Sequence, residues 1–155
     1  MSVFCSESGR SNGMYFDKKG YLITCADMDN QLWQFDNQGN HQVIYEDTLN
    51  ALNGPNDLWI DQKNGIYFTD PLYVRNYWKR DSISKRSGEN VYYLSSDRKS
   101  ITTVAAYFEQ PNGIVGTPDG KKIYVADIGT DKTYEYTIQK DGTLAHKKIF
   151  CDMGS

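Results

Sequence analysis

Short apolar runs separated by polar turns recur three times along the chain. In the stretch 54–71, GPNDLWIDQKNGIYFTDP, an asparagine precedes an apolar run, a polar turn, a second apolar run and an aspartate. The same order begins at Asn12 and at Asn112, so the leading asparagines stand 44 and 56 residues apart (12 to 56 and 56 to 112). Such a period is typical of repeat architectures, in which each unit buries its apolar face against a neighbour.

Each repeat predicts four short strands and no helix. The predicted strands are 14–16, 22–25, 32–35, 41–45, 58–61, 66–69, 90–94, 100–105, 114–116, 123–126, 132–138 and 144–150. Before them, only residues 3–5 could pair as an additional edge strand. Four strands joined by turns form the antiparallel sheet of a propeller blade, so the predicted fold is an all-β propeller with blades at about 1–53, 54–108 and 109–155.

Three blades do not close a propeller. Closed propellers contain four to eight blades around a channel, and closure protects the edges of the sheets. An arc of three blades would expose the apolar outer faces of its first and last sheets. We therefore expect this chain to be part of a longer protein or a unit that pairs with a partner, and we favour the first.

The composition narrows the range of partners. The chain has a formal net charge of −3 and a pI of about 5.3, so no overall positive field attracts nucleic acid or an anionic membrane surface. No apolar run approaches the roughly 20 residues that span a bilayer. Cys5, Cys25 and Cys151 are far apart, match no zinc motif and are predicted to be free thiols. A soluble protein is indicated, whether cytoplasmic, periplasmic or secreted.

The asparagine at the start of each repeat has two interpretations. Asn-Gly is a common hairpin signal, so Asn12 and Asn112 could simply occupy turns. Asn56, however, keeps the same place in its repeat without a following glycine, which favours a strand start that faces the propeller channel. The aspartates that end the second strands, Asp70 and Asp127, are predicted to be solvated turn caps, with a channel-facing position as the alternative.

One insertion interrupts the second repeat. Residues 72–89, LYVRNYWKRDSISKRSGE, have no periodicity and mix basic with aromatic residues. Such a mixture can bind single-stranded nucleic acid, but the acidic chain as a whole argues against it. The alternatives are a lid over the channel, with Tyr73 and Arg75 nearest the mouth, and a surface loop.

Two of these motifs resemble a known family. Pro55-Asn-Asp-Leu with Gly65-Ile-Tyr-Phe-Thr-Asp-Pro71, and Gln110-Pro-Asn-Gly113 with Tyr124-Val-Ala-Asp127, resemble the senescence-marker-protein, gluconolactonase and luciferin-regenerating-enzyme family, and the bacterial gluconolactonases in particular. The resemblance covers nearly the whole chain. It implies a six-bladed propeller of which this chain is roughly the middle half.

The resemblance also implies a site at the channel mouth. Family members hydrolyse sugar lactones around one divalent metal, often Ca²⁺, with Zn²⁺, Mg²⁺ or Mn²⁺ as alternatives. Of the three family ligands only the asparagine of Pro-Asn-Gly has a counterpart, Asn112; the glutamate of an early blade and the aspartate of Asp-Gly-Met do not. Asn56 corresponds to the family's substrate or water contact, and Asn12 holds the equivalent place in the first repeat.

Two functions remain open at this stage. The first is the central part of a metal-dependent hydrolase that opens a sugar lactone to its aldonic acid, completed by the remaining blades of the same propeller. In it the catalytic aspartate is expected beyond Ser155, and the 155-residue chain alone is expected to be inactive. The second is a propeller that binds a ligand or a protein without catalysis.

Overall fold

The computed structural model describes residues 2–80 and 84–154 as three four-stranded antiparallel sheets. The described residues contain no α-helix, and a single 3-10 turn spans Asp27–Asp29. In this part of the chain no helix is long and apolar enough to cross a membrane. The all-β prediction is confirmed, with one sheet for each repeat.

Each sheet follows the chain from its inner strand outwards, and every pair of neighbouring strands is antiparallel. The first sheet contains β1 (Ser11–Phe16), β2 (Leu22–Ala26), β3 (Gln31–Phe35) and β4 (His41–Tyr45). The second contains β5 (Leu58–Ile60), β6 (Ile66–Asp70), β7 (Glu89–Leu94) and β8 (Ile101–Phe108). The third contains β9 (Pro111–Gly116), β10 (Lys122–Asp127), β11 (Lys132–Ile138) and β12 (Leu144–Asp152).

Aspartates close the tight turns between strands. Asp17 accepts hydrogen bonds from the backbone N–H groups two and four residues further on, each at 2.9 Å, and Asp36 and Asp61 do the same in their own turns. This local bonding mimics a backbone turn, which explains the Asp/Lys/Gly composition between the apolar runs.

The second sheet is the centre of the core because both of its faces are buried. Leu58 and Phe68 pack with residues of the first sheet, whereas Trp59 and Tyr67 pack with residues of the third. Side chains alternate between the two faces of a strand, so consecutive apolar residues serve both contacts. This is why β6 is buried along its entire length.

The segment before β1 forms no strand, so the edge pairing that the sequence allowed for residues 3–5 does not occur. Residues 3–5 belong to no strand, and Phe4 instead places its ring 6.2 Å from that of Phe35. Cys5 packs against the apolar cluster of Ala26, Trp33 and Phe35. The segment therefore lies against the apolar cluster of the first sheet, where Cys5 is half-buried and Phe4 is 54% exposed.

Glycine permits the close approach of the first and second inner strands. The N–H of Gly13 donates to the carbonyl of Asn56 at 2.7 Å. A Cβ atom on Gly13 would overlap Asp57 and lie 2.8 Å from the Asn56 carbonyl oxygen. Gly113 occupies the equivalent position in the third repeat, where an added Cβ would meet only Asp57 Oδ2 at 3.8 Å.

We predict that Gly13→Ala lowers the free energy of unfolding by about 1–3 kcal/mol, because the backbone at Asn56 and Asp57, just before β5, must move to admit the methyl group. Gly113→Ala is the matched control and should change it by less than about 1 kcal/mol. Urea denaturation of the two variants measures the difference. Equal destabilisation of both variants would contradict the close approach of β1 and β5.

Candidate channel-mouth site

The three leading asparagines lie at the same end of their sheets as the closing aspartates. The start of β1 pairs with the end of β2, and Pro111 pairs with Asp127 at the start of β9. In the second sheet the N–H of Asn56 donates to the Thr69 carbonyl at 2.9 Å. The antiparallel register therefore brings both predicted sets of residues to one end of the arc.

The inner strands β1, β5 and β9 are joined side by side at this end. Besides the bond between Gly13 and Asn56, the Thr69 hydroxyl donates to the backbone carbonyl of Asn112 at 2.6 Å. Asn12 and Asn112 are located within strands, so the hairpin-turn interpretation is wrong for both. The order β1, β5, β9 is the one expected of neighbouring propeller strands.

Within the described residues, none of the side-chain amides of Asn12, Asn56 and Asn112 takes part in a hydrogen bond. Asn56 is only 5% exposed, Asn112 is half-buried and Asn12 is exposed. The Asn56 amide atoms are not among the fully buried unpaired polar atoms of the described residues, so they reach the molecular surface. A largely enclosed amide that reaches the surface can hydrogen-bond a ligand or a water there.

Asp57 is a residue of this site that the sequence reasoning missed. One carboxylate oxygen accepts from the N–H of Leu58 and the other from the N–H of Ile114, both at 2.9 Å. It therefore joins the inner strand of the second sheet to that of the third. The available signal was the replacement of glycine by aspartate at this position of the repeat, where Gly13 and Gly113 stand in the other two.

The solvated-cap prediction for Asp70 and Asp127 is wrong, since they are 0% and 2% exposed. The carboxylate of Asp70 accepts from the N–H groups of Asn53 and Gly54 at 3.0 and 2.9 Å. Asp127 binds the backbone before β9 in the same way. Neither carboxylate presents more than a trace of surface to a channel, and both connect the second strand to the segment that enters the inner strand.

Burial of the Asp70 carboxyl has a larger effect on its pKa than its hydrogen bonds and the nearby arginines do. Desolvation raises the pKa of this carboxyl to about 6, although the Asn53 and Gly54 N–H groups and the nearby Arg86 and Arg80 act in the opposite direction.

The insertion lies at the same end and docks against the first sheet and the linker that follows it. Tyr77 and Trp78 donate to Asp27 Oδ2, and Arg86 forms an ion pair of 3.0 Å with Asp47. The sequence predicted that this segment is either a lid over the channel or a surface loop. These contacts show that it is not a loop exposed along its whole length. Residues 81–83 lie outside the described part of the chain.

Tyr73 and Arg75 form a stacked pair in this insertion. The guanidinium carbon of Arg75 lies 3.8 Å from the centroid of the Tyr73 ring. No carboxylate of the described residues lies within ion-pair distance of Arg75, and its Nε has no hydrogen-bond partner there. Neither side chain bonds to the three asparagines. The pair thus presents a cation whose charge is not neutralised by a contacting carboxylate.

The described residues do not complete a metal site. They contain no group of three or more His, Cys, Asp or Glu side chains placed to hold an ion. The amide oxygen of Asn112 suits a hard cation such as Ca²⁺, but Ca²⁺ takes roughly six to eight oxygen ligands and prefers carboxylates among them. Asn112 therefore fits as one ligand of a site and not as a site by itself.

The catalytic aspartate expected beyond Ser155 is not placed by the structure. Ser155 itself lies outside the described residues, which reach Gly154 in the last part of the chain. The position of this aspartate therefore stays a prediction. The predicted end of the third blade at residue 155 also stays a prediction. The site residues that the structure does place are those on the inner strands and in the insertion.

Comparison with solved structures defines the class of protein as a β-propeller. The chain superposes on XC5397 of Xanthomonas campestris, a gluconolactonase, with a TM-score of 0.85 and 24% identity, covering 96% of this chain and 51% of that one. That identity supports the shared fold alone.

Sequence comparison identifies the family. The model of the SMP-30/gluconolactonase/LRE-like region matches residues 2–155, and the chain belongs to this family. It is 26% identical to the gluconolactonase of Zymomonas mobilis over 85% of this chain and 38% of that protein. It is 30% identical to lactonase drp35 of Staphylococcus haemolyticus over 91% of this chain and 42% of that protein. The chain therefore spans less than half the length of these curated relatives.

We predict that Asp70 makes stability depend on pH. Its folded-state pKa of about 6 lies above the value of about 4 in an unfolded chain, so the folded state binds the proton more tightly. This contribution is fully present below pH 4 and is lost as the pH rises through about 6. The stability advantage of the wild type over Asp70→Asn should therefore shrink by up to about 3 kcal/mol between pH 4 and pH 7.

Urea denaturation across this pH range measures the change. Glu135→Gln is the control, because Lys148 and Lys122 hold the pKa of Glu135 down to about 2. Its contribution is fully present above the unfolded pKa of about 4.5 and is lost progressively as the pH falls from there through about 2, in the opposite direction to that of Asp70. A pH-independent difference between wild type and Asp70→Asn would refute the prediction.

Proposed function

We propose that this chain forms the central three blades of a lactone hydrolase that opens sugar lactones. The observation that carries the proposal is the set of amides without hydrogen-bond partners at the starts of β1, β5 and β9, on a chain whose relatives include a gluconolactonase and lactonases. Three neutral amides at one end of a propeller present hydrogen-bond donors and acceptors to a polar, uncharged ring.

Asn56 holds the substrate or the attacking water in this proposal. Its amide N–H can donate to a lactone oxygen, and its carbonyl can accept from a water or a sugar hydroxyl. Hydrolysis adds water to the carbonyl carbon, breaks the ring C–O bond and transfers a proton to the released ring oxygen. An amide held by the rigid inner strand can orient these partners, which is the main contribution expected of a positioning group. Asn12 occupies the equivalent but exposed place and contacts the distal hydroxyls.

Asn112 contributes one neutral oxygen to a divalent metal, for which Ca²⁺ is our first candidate. A bound metal would polarise the lactone carbonyl and make a coordinated water more acidic. The carboxylate ligands and the proton acceptor belong to other blades of the propeller. The limited share of the relatives that this chain covers supports this division.

Arg75 selects for the negative charge that forms during the reaction. Ring opening converts a neutral ester into a carboxylic acid that ionises at neutral pH, and a guanidinium pairs well with a carboxylate. Stacking on Tyr73 restrains the arginine; its Nε is buried, so the terminal guanidinium N–H groups are the donors that would meet a carboxylate. Tyr73 and Arg75 thus serve as the part of the lid that contacts substrate.

The division of the site predicts two different results. The isolated 155-residue chain should bind Ca²⁺ weakly and show no lactonase activity, since a single amide cannot hold the ion. A six-blade protein that contains this chain should bind Ca²⁺ and hydrolyse glucono-1,5-lactone, and chelator should abolish the activity. Asn112→Ala should lower Ca²⁺ affinity by about tenfold or more in calorimetric titration.

Asn37→Ala, in an exposed turn, is the control and should leave both properties unchanged. Chelator-sensitive lactonase activity in the isolated monomer would overturn the division of the site. A six-blade protein without hydrolytic activity would favour a propeller that only binds its ligand.

Arg75→Gln in the six-blade protein tests the role of the cation. We expect the affinity for gluconate as a product inhibitor to fall by about tenfold, because a charge-assisted pair is lost. Competitive inhibition kinetics measure this affinity. Lys79→Gln, an exposed cation of the same insertion, should change it little. Equal effects of the two substitutions would show that only the overall charge of the insertion matters.

A further inference from the structure

The closing aspartates of the second and third sheets share one set of partners. Asp70 accepts from the N–H groups of Asn53 and Gly54, which lie three and two residues before Asn56. Asp127 accepts from the N–H groups three and two residues before Asn112, at 3.2 and 2.8 Å. In each case the carboxylate secures the backbone that leads into an inner strand.

Asp27 holds the same place in the first sheet but has different partners. The equivalent N–H groups would be those of Gly9 and Arg10, which have φ values of 61° and 55° and donate no hydrogen bond to Asp27. The Asp27 carboxylate instead accepts from the Tyr77 hydroxyl at 2.6 Å and the Trp78 indole N–H at 3.2 Å. All of these residues belong to the described part of the chain.

Arg80 adds charge to this contact. Its Nη2 lies 3.5 Å from Asp27 Oδ1 and donates to the Asp27 carbonyl at 3.1 Å, while its guanidinium lies 3.4 Å from the Trp78 ring. Asp27 is only 5% exposed. A buried carboxylate needs such donors, because its interactions with water have been removed.

Asn53 binds the insertion on its other side. Its backbone carbonyl accepts from Arg80 at 2.8 Å, its side-chain oxygen accepts from Ser84 at 2.5 Å and its side-chain nitrogen donates to the Gly88 carbonyl at 3.2 Å. Asn53 is also the residue whose N–H binds Asp70. The insertion is therefore connected both to Asp27 and to the backbone that leads to Asn56.

We propose that Asp27 is a positioning residue, which holds the insertion closed over the channel mouth and thereby places Tyr73 and Arg75. The comparison among the three repeats carries this inference, since among the described residues the first sheet alone uses its closing aspartate to bind the insertion. The lid role rests on the proposed function; the anchoring of the insertion by Asp27 does not.

Trypsin digestion of the intact 155-residue chain tests the anchoring without any substrate. Lys79 and Lys85 are exposed residues of the insertion, and cleavage after them reports how often this segment leaves the sheet. Asp27→Ala should accelerate this cleavage by about tenfold or more, because hydrogen bonds to a charged group are lost. Asp127→Ala is the matched control: it removes the equivalent aspartate of the third sheet and should leave cleavage in the insertion close to the wild-type rate.

A second variant covers the outcome in which Asp27→Ala does not fold. Tyr77→Phe combined with Trp78→Phe removes the hydroxyl and indole donors to the Asp27 carboxylate, keeps an aromatic ring beside Arg80, and should also accelerate cleavage after Lys79, with little change in the melting temperature. Unchanged cleavage in this folded double variant, or equal acceleration in the two aspartate variants, would overturn the proposal.

Activity of the six-blade protein then separates the two proposals. Asp27→Ala should raise KM for glucono-1,5-lactone more than it lowers kcat, since the lid contacts are weakened while the inner-strand amides remain. Accelerated digestion in a protein without lactonase activity would retain the anchoring and refute the proposed function. Accelerated digestion with unchanged kinetics in an active protein would refute the lid role of Asp27.

Discussion

The double-sided burial of the second sheet is the constraint on which the rest of the structure depends. A strand with both faces covered must be apolar at consecutive positions, and β6 satisfies this with Ile66, Tyr67 and Phe68, all of them fully buried. Burial of apolar surface is the main favourable contribution to folding. The first and third sheets are oriented by their contacts with this central sheet, and the three inner strands consequently meet at one side of the arc.

Polar residues then set the details that apolar packing leaves open. Asp57, Asp70 and Asp127 each accept backbone N–H groups from a different part of the chain. These bonds are directional, so they determine how the strands enter the channel end rather than only how tightly the sheets pack. The same end carries the three asparagine amides, which form no side-chain hydrogen bond within the described residues and are supported by these bonded strands.

The first sheet departs from the pattern of the other two. Its closing aspartate binds the insertion, and its outer apolar cluster is covered by the segment around Phe4 and Cys5. In both cases an irregular segment packs against a regular sheet. Functional specificity in propellers of this kind can therefore reside in the segments between strands, while the sheets supply a common framework.

The sequence alone determined the number of sheets, the order of their strands and the family. Period-two apolar runs and aspartate turns are local signals, and they remain readable without contacts between distant residues. Residue types also pointed to Asn56 and Asn112, because a repeated asparagine before each apolar run has no simple role in packing. The start of β1 was less clear, since Asn-Gly is compatible with a turn as well as with a strand.

Only the tertiary structure decided which polar residues are buried and what they bind. Asp27, Asp70 and Asp127 look equivalent in the sequence, yet the first binds an insertion 50 residues away and the other two bind nearby backbone. The role of Asp57 depends likewise on the approach of β9. Burial and hydrogen-bond partners are properties of the whole packed arrangement, so a local pattern could identify these carboxylates but could not assign their contacts.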